Sequence, residues 1–252
     1  MSLLSIFSPP EDISTYGKEI DGLFTYTTTL NLFYFTLVVI GLVYFSWKYY
    51  YKRNPKPYYT YGNKPKHLTI TLIIGLAVFL TIDMNITRMA SDDMINTFWN
   101  FPKESESPLK VEVLAQQWMW NFRYAGADNI FNTEDDVISN HDLHIPVGRK
   151  VEFRVASKDV IHSFFLPNAR LKVDAIPGRI TRLWLQPTKT GEFDIACAEM
   201  CGTHHYLMKA KLIVQTEEEF NEWLATSNKL ALEVNDVNNQ DFYWAWPWEN
   251  NK

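Results

Sequence analysis

The stretch Phe193-Asp-Ile195-Ala-Cys197-Ala-Glu-Met-Cys201-Gly-Thr-His-His205-Tyr-Leu-Met208-Lys-Ala210-Lys-Leu212-Ile-Val214 decides how the larger part of this chain is read. Both of its ends alternate apolar and polar residues, the period-2 pattern of half-buried strands. Phe193, Ile195 and Cys197 share one face of the first strand, and Met208, Ala210, Leu212 and Val214 share one face of the second. The loop between them holds both cysteines of the chain, four residues apart, followed at once by His204, His205 and Met208. Thiolate and thioether are soft donors and imidazole is borderline, a set that selects copper over calcium, magnesium or manganese. Zinc accepts thiolate and imidazole but seldom thioether. Two inward-facing ligands joined by one loop at a barrel end make a metal cup that a distant strand is expected to complete. His162, in Lys158-Asp-Val-Ile-His-Ser-Phe-Phe-Leu-Pro167, is the candidate on that strand. The competing reading of the cysteines is a disulfide, which persists in an oxidising space but leaves His205 and Met208 unexplained. A blue-copper site uses one Cys, two His and a weak Met, so the second thiolate allows sulfur bridging of two copper ions.

Working outward, more short alternating segments appear. Val111, Val113, Trp118, Trp120, Phe122 and Tyr124 mark the first, with a slip near residues 114–117 that suggests a bulge. Val151, Phe153 and Val155 mark the next. Pro146-Val147-Gly148, Pro177-Gly178 and the stretch from Thr188 to Gly191 read as turns between them. Many short strands with turn signals suggest a β-sandwich or Greek-key barrel. Thr216 with Glu219 forms a capping box for a short helix running to about Ala225.

Upstream the chain changes character. Residues 23–47 carry no charge at all. As a helix they span roughly 37 Å, enough for a hydrocarbon core of about 30 Å. Residues 68–82 form a second apolar run, which Lys66 and Arg88 can extend by snorkelling. Lys48, Lys52, Arg53, Lys56, Lys64 and Lys66 lie between the two runs with no acid among them, and basic loops stay on the cytoplasmic side. Tyr49, Tyr50, Tyr51, Tyr58, Tyr59 and Tyr61 crowd the same turn, as interfacial aromatic belts do. These features predict a helical hairpin with a cytoplasmic turn and an external domain behind it.

Composition narrows the function. The chain has 252 residues and a formal net charge of −5, and is 46% hydrophobic and 15% aromatic. That is too apolar for a disordered chain, and the acidic balance without a basic aromatic stripe argues against nucleic acid. The residues from Ala90 onward hold 16 basic and 24 acidic side chains, a net of −8. Such a face speeds encounters with a basic partner. Asp142, Asp159 and the cluster Glu134-Asp135-Asp136 are the candidate acids. No Cys-x-x-Cys-His is present, so the chain carries no c-type haem of its own.

At this point the chain resembles subunit II of cytochrome c oxidase, the haem–copper terminal oxidase. Cys197-x-Glu199-x-Cys201-Gly202-x-x-His205-x-x-Met208 matches that family's copper A loop without a break. Asp159-Val-Ile-His162-Ser-Phe, Asp174-Ala-Ile-Pro-Gly-Arg179 and Gln117-Trp-Met-Trp120 match its other signature stretches. The resemblance implies a transmembrane helical hairpin, then an all-β cupredoxin-like Greek-key domain with a short C-terminal helix. The divisions are an external segment at 1–22, the hairpin at 23–90, the copper A domain at 91–227 and an aromatic tail at 228–252.

It also implies roles. His162, Cys197, Cys201, His205 and Met208 would hold a binuclear copper A centre by side chain and Glu199 by its backbone carbonyl. The Glu199 carboxylate would reach a magnesium ion at the boundary with subunit I, with Asp174 and Arg179 near that boundary. The motif selects His205 over His204. Trp118 would be the ring through which electrons enter, although it also fits a buried strand face with Trp120, Phe122 and Tyr124. The implied partners are subunit I and other oxidase subunits, a c-type cytochrome or similar donor, and the lipid of a respiratory membrane, taken as a bacterial plasma membrane with the copper domain outside. The whole would serve oxygen reduction coupled to proton pumping. The alternatives are a quinol-oxidase relative, a branch that lacks the copper ligands, and a membrane-tethered copper-binding or copper-delivery protein.

Two stretches depart from the family pattern. Residues 126–136 form a polar excursion whose acids could hold calcium but lack the EF-hand order. Phe242, Tyr243, Trp244, Trp246 and Trp248 crowd a short C-terminal stretch that fits either a neighbouring subunit or the membrane interface.

Overall fold

A computed structural model describes residues 9–53, 61–239, 242 and 244. The chain divides into two compact units, one of Glu19–Trp99 and one joining Met1–Lys18 with Asn100–Lys252.

Helix α1 spans Gly17–Lys48. A second helical stretch, Pro65–Phe98, follows as α2 (Pro65–Val78), a π turn (Phe79–Asp83), α3 (Met84–Asp93) and a second π turn (Met94–Phe98). Pro65 opens it at the first turn, where a missing N–H costs nothing. Thr69 and Thr71 return their hydroxyls to the carbonyls of Pro65 and His67, each at 2.9 Å, so the polar groups are satisfied within the helix. Both stretches, of 32 and 34 residues, are long and apolar enough to cross a membrane, and neither apolar window is buried within the chain. The second runs past the expected hairpin end at residue 90, because no Gly or Pro interrupts residues 76–101. Lys56, Tyr58 and Tyr59 of the hairpin turn lie outside the described residues.

The other unit is a β-sandwich. Its strands are β1 (Leu109–Gln116), β2 (Met119–Tyr124), β3 (Val137–Asn140), β4 (Asp142–Pro146), β5 (Val151–Ser157), β6 (His162–Leu166), β7 (Leu171–Ala175), β8 (Thr181–Leu185), β9 (Gly191–Cys197) and β10 (Lys209–Gln215). One sheet orders them β3-β2-β1-β5-β8 and the other β4-β10-β9-β6-β7. β1 runs parallel to β5 and β4 parallel to β10; the other pairs are antiparallel. Phe164 of the second sheet meets Trp120, Phe122 and Phe153 of the first at ring separations of 5.3, 6.2 and 5.8 Å. All four rings are fully buried, each contributing about 2 kcal/mol or more by burial alone.

Four expectations about this unit change. The first strand with a bulge near residues 114–117 is two strands: β1 and β2 pair from Val111↔Tyr124 to Gln116↔Met119, with the turn at Gln117-Trp118. Alternation misled because β1 is a central strand, buried from Val111 to Ala115 on both faces. The C-terminal helix, α4 (Glu217–Val234), keeps its Thr216–Glu219 capping box but runs past Ala225. Its polar Asn228 does not stop it, because the side chain donates to the Asp135 carbonyl at 2.6 Å. Asp136 is not a surface acid. It is fully buried, with its carboxylate 3.7 Å and that of Glu112 3.6 Å from the buried Arg123 guanidinium. Finally, the tail turns onto its own unit: Phe242 and Trp244 lie 5.0 and 4.3 Å from the Arg123 guanidinium. Tyr243, Trp246 and Trp248 lie outside the described residues.

Near the N-terminus, Ile13 is fully buried; its N–H bonds the Asn168 carbonyl at 3.0 Å, and its carbonyl accepts from Thr188 at 2.7 Å. Tyr16 donates to the Trp184 carbonyl at 2.8 Å. This segment is part of the sandwich, which nothing in its short sequence announced.

Candidate metal centre

β6 begins at His162, β9 ends at Cys197 and β10 begins one residue after Met208. β9 pairs with both β6 and β10, so the ends of the three central strands of the second sheet meet. The loop is tied in place by backbone bonds: Ala198 N–H to the Ser163 carbonyl at 3.0 Å and Cys197 N–H to the Met208 carbonyl at 3.2 Å. Met208 is buried in phase with Ala210, Leu212 and Val214, as the alternation required.

The donor atoms converge. Cys197 Sγ and Cys201 Sγ stand 3.8 Å apart. His162 Nδ1 is 3.1 Å from Met208 Sδ and 3.9 Å from Cys197 Sγ. Cys201 Sγ is 3.4 Å from His205 Nδ1 and 3.8 Å from Met208 Sδ. The Glu199 carbonyl oxygen lies 3.2 Å from Cys197 Sγ. Ligand atoms of His162, Cys197 and Cys201 all lie within 4.8 Å of one another, a group able to hold a metal ion. Both cysteines are free, so the disulfide reading is not what the fold presents. Two thiolates each about 2.3 Å from one tetrahedral ion would sit ~3.8 Å apart, so the observed separation fits shared coordination.

His162 is fully buried and its second nitrogen is committed: Nε2 lies 2.9 Å from Asp159 Oδ1. A carboxylate behind an imidazole sets the tautomer and turns the other nitrogen toward the ligand side. Asp159, read from sequence as a candidate surface acid, is thus spent on the site, and its Oδ2 also accepts the Gln117 N–H at 2.6 Å. The signal available in the sequence was its i,i+3 spacing to His162.

Electrostatics separate the two thiols. Burial would push Cys197 up, but hydrogen bonds with His162 and with the backbone at Glu199 and Ser163 outweigh it and bring it down to about 6. Burial and the neighbouring Cys197 thiolate push Cys201 up to about 12. Cys197 is thus the sulfur favoured as thiolate, and a cation bound between the two would draw the proton off Cys201 as well.

Trp118 does not join Trp120, Phe122 and Tyr124 in the core. It is half-buried, and its Nε1–H donates to the Cys201 carbonyl at 3.2 Å. Gln117 Nε2 donates to the same carbonyl at 2.7 Å, a contact sequence reading did not find. Gly202 makes this approach possible, since a Cβ there would stand 2.9 Å from Gln117 Nε2 and 3.1 Å from the Trp118 ring, at φ +120°. His204 is exposed and packs edge-on to Trp118 at 4.5 Å, outside the donor cluster. Glu199 is exposed. Asp174 accepts from the Ser163 hydroxyl at 2.7 Å, one residue from His162.

Similarity to known proteins gives the family. Residues 109–216 match the family described as "Cytochrome C oxidase subunit II, periplasmic domain". The alternative cytochrome c oxidase subunit 2 of Bradyrhizobium diazoefficiens is 31% identical over 255 residues, covering 91% of this chain and 88% of that protein. Cytochrome c oxidase subunit 2 of Thermostichus vulcanus is 40% identical over 123 residues, 49% of this chain and 35% of that protein. Among solved structures, the periplasmic domain of subunit II of cytochrome oxidase of Bradyrhizobium japonicum is 28% identical and has a TM-score of 0.44, covering 48% of this chain and 94% of that one. The chain belongs to the cytochrome c oxidase subunit II family.

Proposed function

We propose that this chain is the electron-entry subunit of its oxidase. It would take single electrons from a c-type cytochrome and hand them to haem in subunit I, for oxygen reduction coupled to proton pumping. The observation that carries this reading is one loop that gathers sulfur and imidazole donors on one side and an indole N–H on the other, through the Cys201 carbonyl.

A copper A site is what family membership implies, and the donor set fits it. His162, Cys197, Cys201, His205 and Met208 would hold two coppers by side chain, and Glu199 by its carbonyl. Bound there, the copper pair supplies reversible one-electron uptake and release. The residues do the rest. The paired thiolates offset the metal charge, Asp159 holds the His162 ring in one orientation, and strands β6, β9 and β10 keep the donors from shifting between redox states. Trp118 offers a half-buried ring, bonded directly to the ligand loop, as the point of entry. The exposed Glu199 carboxylate is free to share a magnesium ion with subunit I. A copper carrier has no use for an indole placed on the Cys201 carbonyl.

The two helices would span a bacterial plasma membrane, with the basic turn in the cytoplasm and the sandwich outside. The acidic excess of the outer unit suits a basic donor and predicts that uptake slows as salt rises.

The test is metal content and partner content of the full chain purified in detergent. Two coppers per chain at saturation and co-elution with a haem-bearing partner are expected. One copper per chain would sink the binuclear assignment, and no haem partner would sink the oxidase assignment.

A further inference from the structure

We propose that the end of α1 and the turn after it form a binding pocket for the headgroup of an anionic phospholipid.

A cavity of about 430 Å³ is lined by Ser46, Trp47, Tyr50, Lys52 and Arg53. The helix closes with the Tyr49 N–H on the Phe45 carbonyl at 2.9 Å, and the chain then turns so that the Arg53 N–H meets the Tyr50 carbonyl at 2.9 Å. This turn brings the Arg53 guanidinium back over the Trp47 ring at 4.4 Å. Lys52 Nζ lies 5.9 Å from the Tyr51 ring, and Lys48 Nζ lies 5.3 and 5.6 Å from those of Tyr44 and Tyr49. Lys52 and Arg53 therefore lie by aromatic rings, and Lys48 donates to the Tyr44 hydroxyl at 3.2 Å. The sequence holds no Asp or Glu between Asp21 and Asp83, and among the described residues neither Lys52 nor Arg53 has a carboxylate partner. A guanidinium resting 4.4 Å over an indole rather than on a carboxylate has N–H groups to offer, and its fork matches two oxygens of a phosphate.

A free phosphate would use only the cations. The site also offers the exposed rings of Trp47, Tyr49, Tyr50 and Tyr51, set where the apolar span ends. A phosphodiester carrying glycerol and acyl chains would use both, with its charge on Arg53 and Lys52 and its apolar part along those rings and the α1 surface. Basic residues at an anionic leaflet attract it generally. Placing two of them around a cavity walled by Trp47 and Tyr50 turns a general attraction into a site. This inference rests on α1 being a membrane span.

The experiment reconstitutes the full chain into nanodiscs of phosphatidylcholine doped with phosphatidylglycerol and measures lipid retained on the ejected protein by native mass spectrometry. The wild-type chain should retain phosphatidylglycerol in preference to phosphatidylcholine. The double variant K52Q/R53Q should lose that preference by about fivefold per charge removed, and Trp47→Leu should weaken it with charge unchanged. The control K64Q/K66Q removes equal charge from the same turn and should lose less. Equal losses in the two double variants would reduce the site to a diffuse basic surface and overturn it. So would the absence of any preference, or displacement of the lipid by millimolar inorganic phosphate. A chain that fails to enter nanodiscs at all would overturn the spanning reading and this inference with it, an outcome distinct from insertion without selectivity.

Discussion

Asp159 and His162 are joined by a 2.9 Å contact between carboxylate and Nε2, which leaves Nδ1 of a fully buried imidazole facing sulfur. The carboxylate favours the proton on Nε2 and leaves Nδ1 as the donor atom to a metal. Asp159→Asn should therefore weaken copper affinity by about 10- to 100-fold while leaving the fold intact. Competition with a copper chelator reads the affinity, and an unchanged value would show that packing alone orients His162.

Cys201 sits within 4 Å of Cys197, His205 and Met208 at once, whereas His204 touches none of the donors. Cys201→Ser should abolish the two-copper site, and His204→Ala should leave copper content and the visible spectrum close to wild type. The reverse result would reassign the histidine ligand. Both variants are read by metal analysis of the purified chain.

Trp118 reaches the cluster through one hydrogen bond, so its loss should separate binding from traffic. Trp118→Phe should keep two coppers but slow electron uptake from reduced cytochrome c by ~10-fold or more, an increase of some 1.4 kcal/mol in the barrier. Gly202→Ala should do the same by driving Gln117 and the indole off the Cys201 carbonyl. Stopped-flow reduction at fixed ionic strength measures both. Unchanged rates in Trp118→Phe would return the ring to an ordinary packing role.

Arg123, Glu112 and Asp136 form a buried cluster in which desolvation decides the protonation. It pushes Glu112 up to about 8 and Asp136 up to about 6, despite the attraction of Arg123, and Arg154 acts on Glu112 in the same sense as Arg123. A carboxyl raised in the folded state binds its proton more tightly there than in the unfolded chain. Its contribution is complete below the ordinary carboxylate range and is lost as pH rises through about 6 and then about 8. Denaturant midpoints of the sandwich should fall across that window, and Glu112→Gln, which mimics the protonated acid, should flatten the upper part. A midpoint that rises with pH would contradict the assignment.

The tail closes over the same cluster. Replacing Phe242 and Trp244 together by Ala should cost about 1–4 kcal/mol in the stability of the sandwich, two cation–π contacts onto a desolvated guanidinium. Copper content should not change. A variant as stable as wild type would place the work of the tail elsewhere.

Much of this protein is legible in one dimension. The uncharged run at 23–47, the Cys197–Met208 loop and the Thr216 capping box are local patterns: the first lies within α1, the second brings both cysteines beside His162, and the third opens α4, whose end past Ala225 was not legible. Soft donors at short spacing leave few alternatives, because the chain between them is too short to send them apart. Asp159, Gln117 and Gly202 stood inside motifs of the sequence, but their contacts were not legible there, since these depend on where β1, β2 and β6 lie against the loop.

What tertiary structure alone decided follows from the same distinction. Strand alternation vanishes where both faces are covered, so the β1–β2 turn at Gln117-Trp118 emerged only once β5 was seen to pair with β1. Whether an acid is a surface charge or a buried one depends on what folds over it: Asp136 lies against Arg123, and the tail packs on that guanidinium. Burial and long-range pairing are sums over segments distant in the chain, and no local window of sequence contains them.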